Sequence, residues 1–362
     1  MRRPAELLRG RMPLKRWPFA AGLLLAAAPA FAHGDHLADG TSPWSLWQLS
    51  PEILLGLLTA GLIYWRGSRR GLIKSRWRIA AFFGGLVALF VALISPIEEL
   101  SDHIFAVHQV EHMLLRSVAP MLLFLSAPQA AMVRGSPRWL TRFFGGSGLL
   151  RRLVGLLRFP PLATVLFLLS SYFWMIPYYH DMAIENEPIH YLWHITLLLS
   201  GLIYFSVIFD RRMGPPGPGL ATRLGMFVAA ALGNIILGAF LSLKDVPLYS
   251  AYIILGHMWH VSELTDEQTG GIIMWIPGTM MFSLSAIWVV FSWGREETRF
   301  VNRRIRTGRE LIRARRQSNG ALALGLVTAA LLIGVVAVSV VSLIDHPPGG
   351  FRDYGVAGRI PG

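Results

Sequence analysis

The sequence predicts an all-α, polytopic transmembrane bundle with a seven-helix core and one additional C-terminal span. Three observations predict it. The chain of 362 residues is 53% hydrophobic and only 15% charged, with a mean hydropathy of +0.48, too apolar for a soluble domain of this size. Eight apolar stretches are each long enough, at about 15–25 residues, to cross a hydrocarbon core. Lys and Arg gather in every second connection between them, where a membrane protein keeps its orientation signals. The formal charge of +13 therefore reads as topology and not as a nucleic-acid footprint. With no cysteine, disulfides and thiolate ligands are both excluded.

Residues 1–32 run from a basic stretch through an apolar one to Ala30-Phe31-Ala32, the pattern of a secretory signal peptide cleaved after Ala32; an uncleaved anchor is the alternative. An exported segment, 33–45, follows. The spans are placed at 46–65, 77–95, 103–126, 161–177, 189–209, 221–243 and 270–293, which make the 46–293 membrane domain, and at 320–344. A basic cytoplasmic loop, 294–319, precedes the last span, and an outer tail, 345–362, ends the chain. The connections 66–78, 134–158, 210–223 and 295–316 are basic, so they are assigned to the cytoplasm and the segment after Ala32 to the outside. Residues 136–158 read as an amphipathic helix on the membrane surface, interrupted at Gly145-Gly146. Arg116, inside the third span, either faces a polar interior or snorkels toward the cytoplasm, and snorkelling is the preferred reading.

On this topology none of the eleven histidines is cytoplasmic. His103, His108 and His112 lie at the outer end of the third span, and His190 and His194 at the outer end of the fifth. His180, His257, His260 and His346 fall in outer segments, with His33 and His36 in the exported one. His108/His112 and His190/His194 are four apart, so each pair shares a helical face with about 6 Å of rise, within reach of one ion. His257 and His260 could close over such a site, and Met113, Met182 and Met258 offer thioethers. Imidazole and thioether without thiolate suit copper first, with zinc or iron behind it. Glu111, beside the third-span pair, is read either as a partner orienting an imidazole or as structural. After cleavage, the α-amine and ring of His33, with His36, would form a further copper chelate.

The third span with MLLRSVAPMLLFLSAP, the YYHDMAIENEPIHYLWHITLLLSGLIYF stretch, and PLYSAYI followed by LTDEQTGGIIMWIPG together resemble the CtaG family associated with caa3-type cytochrome c oxidase assembly. The likeness covers roughly 46–293. It implies a non-enzymatic membrane factor that helps copper reach a haem-copper oxidase on the outer, periplasmic side. Its partners would be oxidase subunits, the lipid bilayer and an extracytoplasmic copper carrier. His108, His112, His190 and His194 match the family's helix histidines, whereas the family often has Gln at the position of Glu111 and varies around His257 and His260.

Other chemistries fit parts of the pattern. Histidines on two helices also suit a bis-histidine membrane cytochrome, although i,i+4 pairs converge more naturally on a bare ion than on haem. The run His108-Gln109-Val110-Glu111-His112 fits the H-x-x-E-H zinc protease pattern. A transporter would need ionisable groups through the cytoplasmic half of the spans, and these are nearly absent.

Overall fold

The chain was analysed as a computed structural model that describes residues 47, 49–69, 75–210, 217–255 and 261–306. The signal stretch, His33 and His36, the loop histidines His257 and His260 with Met258, and the 320–344 span lie outside the described residues. Every regular element among the described residues is helical. In order they are α1 (Pro51–Gly67), α2 (Arg76–Ile94), α3 (Pro96–Ser101), α4 (Phe105–Leu125), α5 (Gln129–Gly135), α6 (Arg138–Gly146), α7 (Gly148–Leu157), α8 (Pro160–Trp174), α9 (Pro177–Glu185), α10 (Glu187–Ile208), α11 (Leu220–Leu243), α12 (Ala251–Leu255) and α13 (Glu263–Arg306).

Four of these helices are long and apolar enough to cross a membrane, and six if the bent pairs α4–α5 and α7–α8 each count as one span. The first predicted span is the 17-residue α1, short for the purpose, although Leu55, Leu58 and Leu62 expose about two thirds of their surface along one side. Such an apolar outer face is stable only against lipid or another apolar surface. The predicted surface helix at 136–158 forms as α6 and α7, broken at Ser147, which caps α7 by accepting from Leu150 N–H at 3.2 Å.

The third predicted span is not one regular helix. In α4 the turn Leu114–Val118 is π-helical, and after Leu125 the chain swings by 80° into α5. Pro120 has no N–H to give to the carbonyl of Arg116 four residues earlier. That carbonyl is the atom a side chain at Gly201 of α10 would strike, so the glycine lets the two backbones close on each other there. Arg116 corrects the snorkelling expectation: it is buried, donates to Asn234 Oδ1 at 2.7 Å and lies over the Phe167 ring at 4.2 Å. A polar partner inside the bundle outcompetes the route to the interface.

α11 and α13 run antiparallel and closely apposed, because a side chain at Gly238 would stand 2.6 Å from Trp275 Cβ. The apolar core divides in two. One cluster, around Tyr64, Phe167, Tyr204 and Phe282, fills the end where Arg158 bonds Asp210 at 2.9 Å. The other, around Phe105, Trp174, Trp193, Tyr249 and Tyr252, encloses the histidines.

Candidate metal centre

α4 and α10 begin at the same end of the bundle and run side by side, which brings their histidine pairs opposite each other. His108 stands against His190 with ring centres 5.3 Å apart, and one turn further on His112 stands against His194 at 5.5 Å. Along each helix the pairs stack at 4.1 and 4.5 Å. All four are buried, and one ligand atom from each lies within 4.8 Å of the other three.

The helix starts hold this register. Asn186 caps α10 through Ile189 N–H, and Asp266 of α13 caps α4 by accepting from Phe105 N–H at 2.7 Å and Ala106 N–H at 2.9 Å. A carboxylate at a helix N-terminus satisfies two orphan donors and opposes the helix dipole. Glu267, next in sequence, accepts from Leu248 N–H and Tyr249 N–H at 3.0–3.1 Å and pairs with Lys244. Asp181 accepts from Ser250 N–H at 3.1 Å and Ser250 O–H at 2.6 Å. These carboxylates pin the 244–255 segment over the histidines, with the Tyr249 ring stacked on Phe105 at 4.9 Å.

The pinned segment delivers Tyr252, whose hydroxyl lies 2.7 Å from His108 Nδ1 and 3.1 Å from His180 Nε2. The proton positions follow from the carbonyl at the end of this chain. His180 Nδ1 meets Trp174 O at 3.2 Å, and a carbonyl only accepts, so Nδ1 carries the proton. Burial in α9 pushes the His180 imidazole down to about 3, so the ring is neutral and its Nε2 accepts from Tyr252. Tyr252 oxygen then accepts from His108 Nδ1–H, leaving a bare lone pair on His108 Nε2. That lone pair faces His112 Nε2 at 2.8 Å, so His112 presents its Nε2–H there, and both Nε2 atoms would be free for a metal ion once that proton sits on His112 Nδ1 instead.

Carboxylates lie at the other side of the tetrad. Glu111 Oε1 is 3.1 Å from His194 Nε2, and Asp102 Oδ1 is 3.7 Å from His190 Nδ1. These contacts place a carboxyl group beside one imidazole of each rung. Glu98 is buried nearby in α3; burial first, then the charges of Asp102, Glu99 and Glu187, lift its carboxyl to about 8. Trp193 walls the site, its ring 4.7 Å from His108 and 4.3 Å from His112, and Trp174 stacks behind it at 5.3 Å.

The donor set fits a bare ion. Two nitrogens bound at about 2.0–2.1 Å can be no more than about 4.2 Å apart, so the widest pair needs a contraction of only about half an ångström. Of the other predicted ligands, His103 is buried just before α4 but outside the tetrad, and His180 is committed to Tyr252 and Trp174. Met113 borders a small cavity beside His112, and Met182 is half-buried in α9.

Sequence reasoning missed Tyr252, Trp193, Asp102, Glu98 and Asp266 as parts of this site. The signal for two of them was present: Tyr252 lies in PLYSAYI and Asp266 in LTDEQTGG, stretches that stood out only as a likeness.

The comparisons with known proteins fall on these same elements. The model of the family described as cytochrome c oxidase caa3 assembly factor (Caa3_CtaG) matches residues 61–296, from α1 through most of α13. The chain belongs to this family. Two relatives are the proteins designated uncharacterized protein Mb0105 of Mycobacterium bovis and uncharacterized protein MT0111 of Mycobacterium tuberculosis. Each is 26% identical over 250 residues, which cover 65% of this chain and 37% of the relative. The chain thus spans well under half the length of these relatives. No solved structure matches it. Membership of the caa3 assembly-factor family and the apolar helices agree on a membrane protein.

Proposed function

We propose that this caa3 assembly factor receives copper at the outer face of the cytoplasmic membrane, holds it among His108, His112, His190 and His194, and releases it to an oxidase subunit. The observation that carries the reading is the convergence of four buried imidazoles, from two helices, to within 4.8 Å. Copper is cargo here and no reaction is catalysed. Imidazole-only ligation suits a carrier, because it leaves out the thiolates that would bind soft copper most strongly. Glu111 and Asp102 turn the histidines toward the ion, and the carboxylates around them offset its charge.

In this reading α1, α2, α4–α5, α7–α8, α10, α11 and α13 form the seven-helix core. Their histidine end faces outward, where His33 and His36 of a cleaved N-terminus, or an extracytoplasmic carrier, would exchange copper with the tetrad.

Neither rival chemistry gains from the geometry. The space beside the rings is a cavity of about 30 Å³, far short of a porphyrin. Glu111 is fully buried against His194, whereas a protease base must face a metal-bound water and a substrate cleft.

The test is metal analysis of untagged, detergent-purified protein, wild type against His108→Ala/His112→Ala. Copper near one equivalent, supplied by titration if the protein is isolated empty, should be lost in the variant. His112→Ala and His194→Ala should each lower oxidase activity with normal amounts of factor in the membrane. Full oxidase activity in both variants overturns the proposal.

A further inference from the structure

One turn beyond His112, Arg116 sits inside the bundle with 6% of its surface exposed. Its contacts are the Asn234 carboxamide oxygen at 2.7 Å and the face of Phe167. Neither is an anion, and no carboxylate pairs with Arg116 among the described residues. A guanidinium at this depth without counter-charge is a strongly unfavourable arrangement, because no water compensates for its lost hydration.

The guanidinium borders the cavity of about 30 Å³, together with Gln109, His112, Ser117, Trp193 and Asn234. Two of these carry buried donors without an acceptor: Gln109 Nε2 and Trp193 Nε1. The Asn234 Oδ1 on the wall is already taken by Arg116. A space large enough for one small occupant is therefore bordered by a guanidinium without counter-charge and by residues that carry an amide N–H and an indole N–H without an acceptor.

We propose that this cavity is a binding site for a single halide-sized anion, chloride under cellular conditions. A water molecule would offer two lone pairs to three kinds of donor and leave the guanidinium charge unbalanced. A monovalent anion satisfies the donors and neutralises the charge at once. The site adjoins the tetrad on its inner side, at His112.

Chloride binding is read by the 35Cl NMR linewidth in metal-free, detergent-purified protein exchanged into gluconate. Wild type should broaden the chloride signal saturably, with reversal by bromide, and its thermal midpoint should rise when chloride replaces gluconate. Asn234→Asp sets an internal carboxylate against Arg116 and should weaken chloride binding by at least about tenfold. The same variant should lose the chloride dependence of the midpoint. Gln109→Leu, which removes a donor and leaves the charge, serves as the second variant and should weaken binding less. Linewidths in wild type no greater than in Asn234→Asp, or a midpoint indifferent to chloride, would assign the cavity to water and overturn the proposal. Copper binding by such a protein would be unaffected, so the two readings fail independently.

Discussion

Tyr252 joins two histidines through one hydroxyl, accepting from His108 Nδ1–H and donating to His180 Nε2, and so decides which nitrogen of His108 is bare. Removing that hydroxyl leaves the imidazole free to take the other tautomer. Tyr252→Phe should lower copper affinity by about 10–100-fold, the usual cost of losing a group that orients a ligand. Competition against a chromophoric copper chelator measures it, and unchanged affinity would show that the tautomer is set elsewhere. Glu98 gives a second test through pH. Its carboxyl is lifted to about 8, so the folded protein favours the protonated form. That stabilisation is fully present below the ordinary carboxyl value near 4.5 and is lost as pH rises toward 8. The thermal midpoint of wild type should therefore fall over this range more steeply than that of Glu98→Gln, with an upper bound of about 5 kcal/mol on the difference. Parallel slopes would mean that Glu98 is ionised throughout.

α4 and α10 present their histidines in register because their backbones touch at Gly201 and Arg116, seven and four residues beyond His194 and His112. Gly201→Leu should push the helices apart, costing roughly 1–3 kcal/mol or more in stability and weakening copper binding at rungs it does not touch. Gly155→Ala in α7, where an added Cβ meets nothing, is the control and should be neutral or slightly stabilising. A Gly201→Leu protein with wild-type affinity would detach the register from this contact. Much of this element was legible in advance. Helical period alone stacks His108 on His112 and His190 on His194, and apolar length alone marks both helices. What stayed hidden depends on other elements. The cap on α4 comes from Asp266, about 160 residues away, and no local pattern announces it. Arg116 turns inward because Asn234 waits on α11, and the bend after Leu125 passes through Ala127 at a φ of 56°, a conformation the sequence gives no reason to expect of alanine.

Across the whole molecule, charge divides by end. Glu98, Asp102, Asp181, Asp266 and Glu267 surround the histidines, whereas Arg158 and Arg223 brace the opposite end through Asp210 and the Ile208 carbonyl. The same division is visible in the sequence as alternating basic connections, and the proposed outward orientation of the histidine end rests on it. Sequence could not supply the meeting of two separate histidine ladders, because helix order in a bundle is set by packing and not by spacing. The assignment of sides is open to direct measurement, since the chain has no cysteine and any introduced thiol is unique. Tyr178 is 57% exposed at the histidine end, in the helix that carries His180, and Arg151 is exposed on α7 at the opposite end. In intact cells a membrane-impermeant maleimide should label Tyr178→Cys and leave Arg151→Cys untouched until the membrane is permeabilised. Both variants must still support oxidase activity, so that labelling reports the working topology. The reverse pattern would turn the tetrad toward the cytoplasm, and copper would then have to come from a cytoplasmic source. Labelling of both in intact cells would mean that α7 is reachable from outside and that its basic residues do not hold it in.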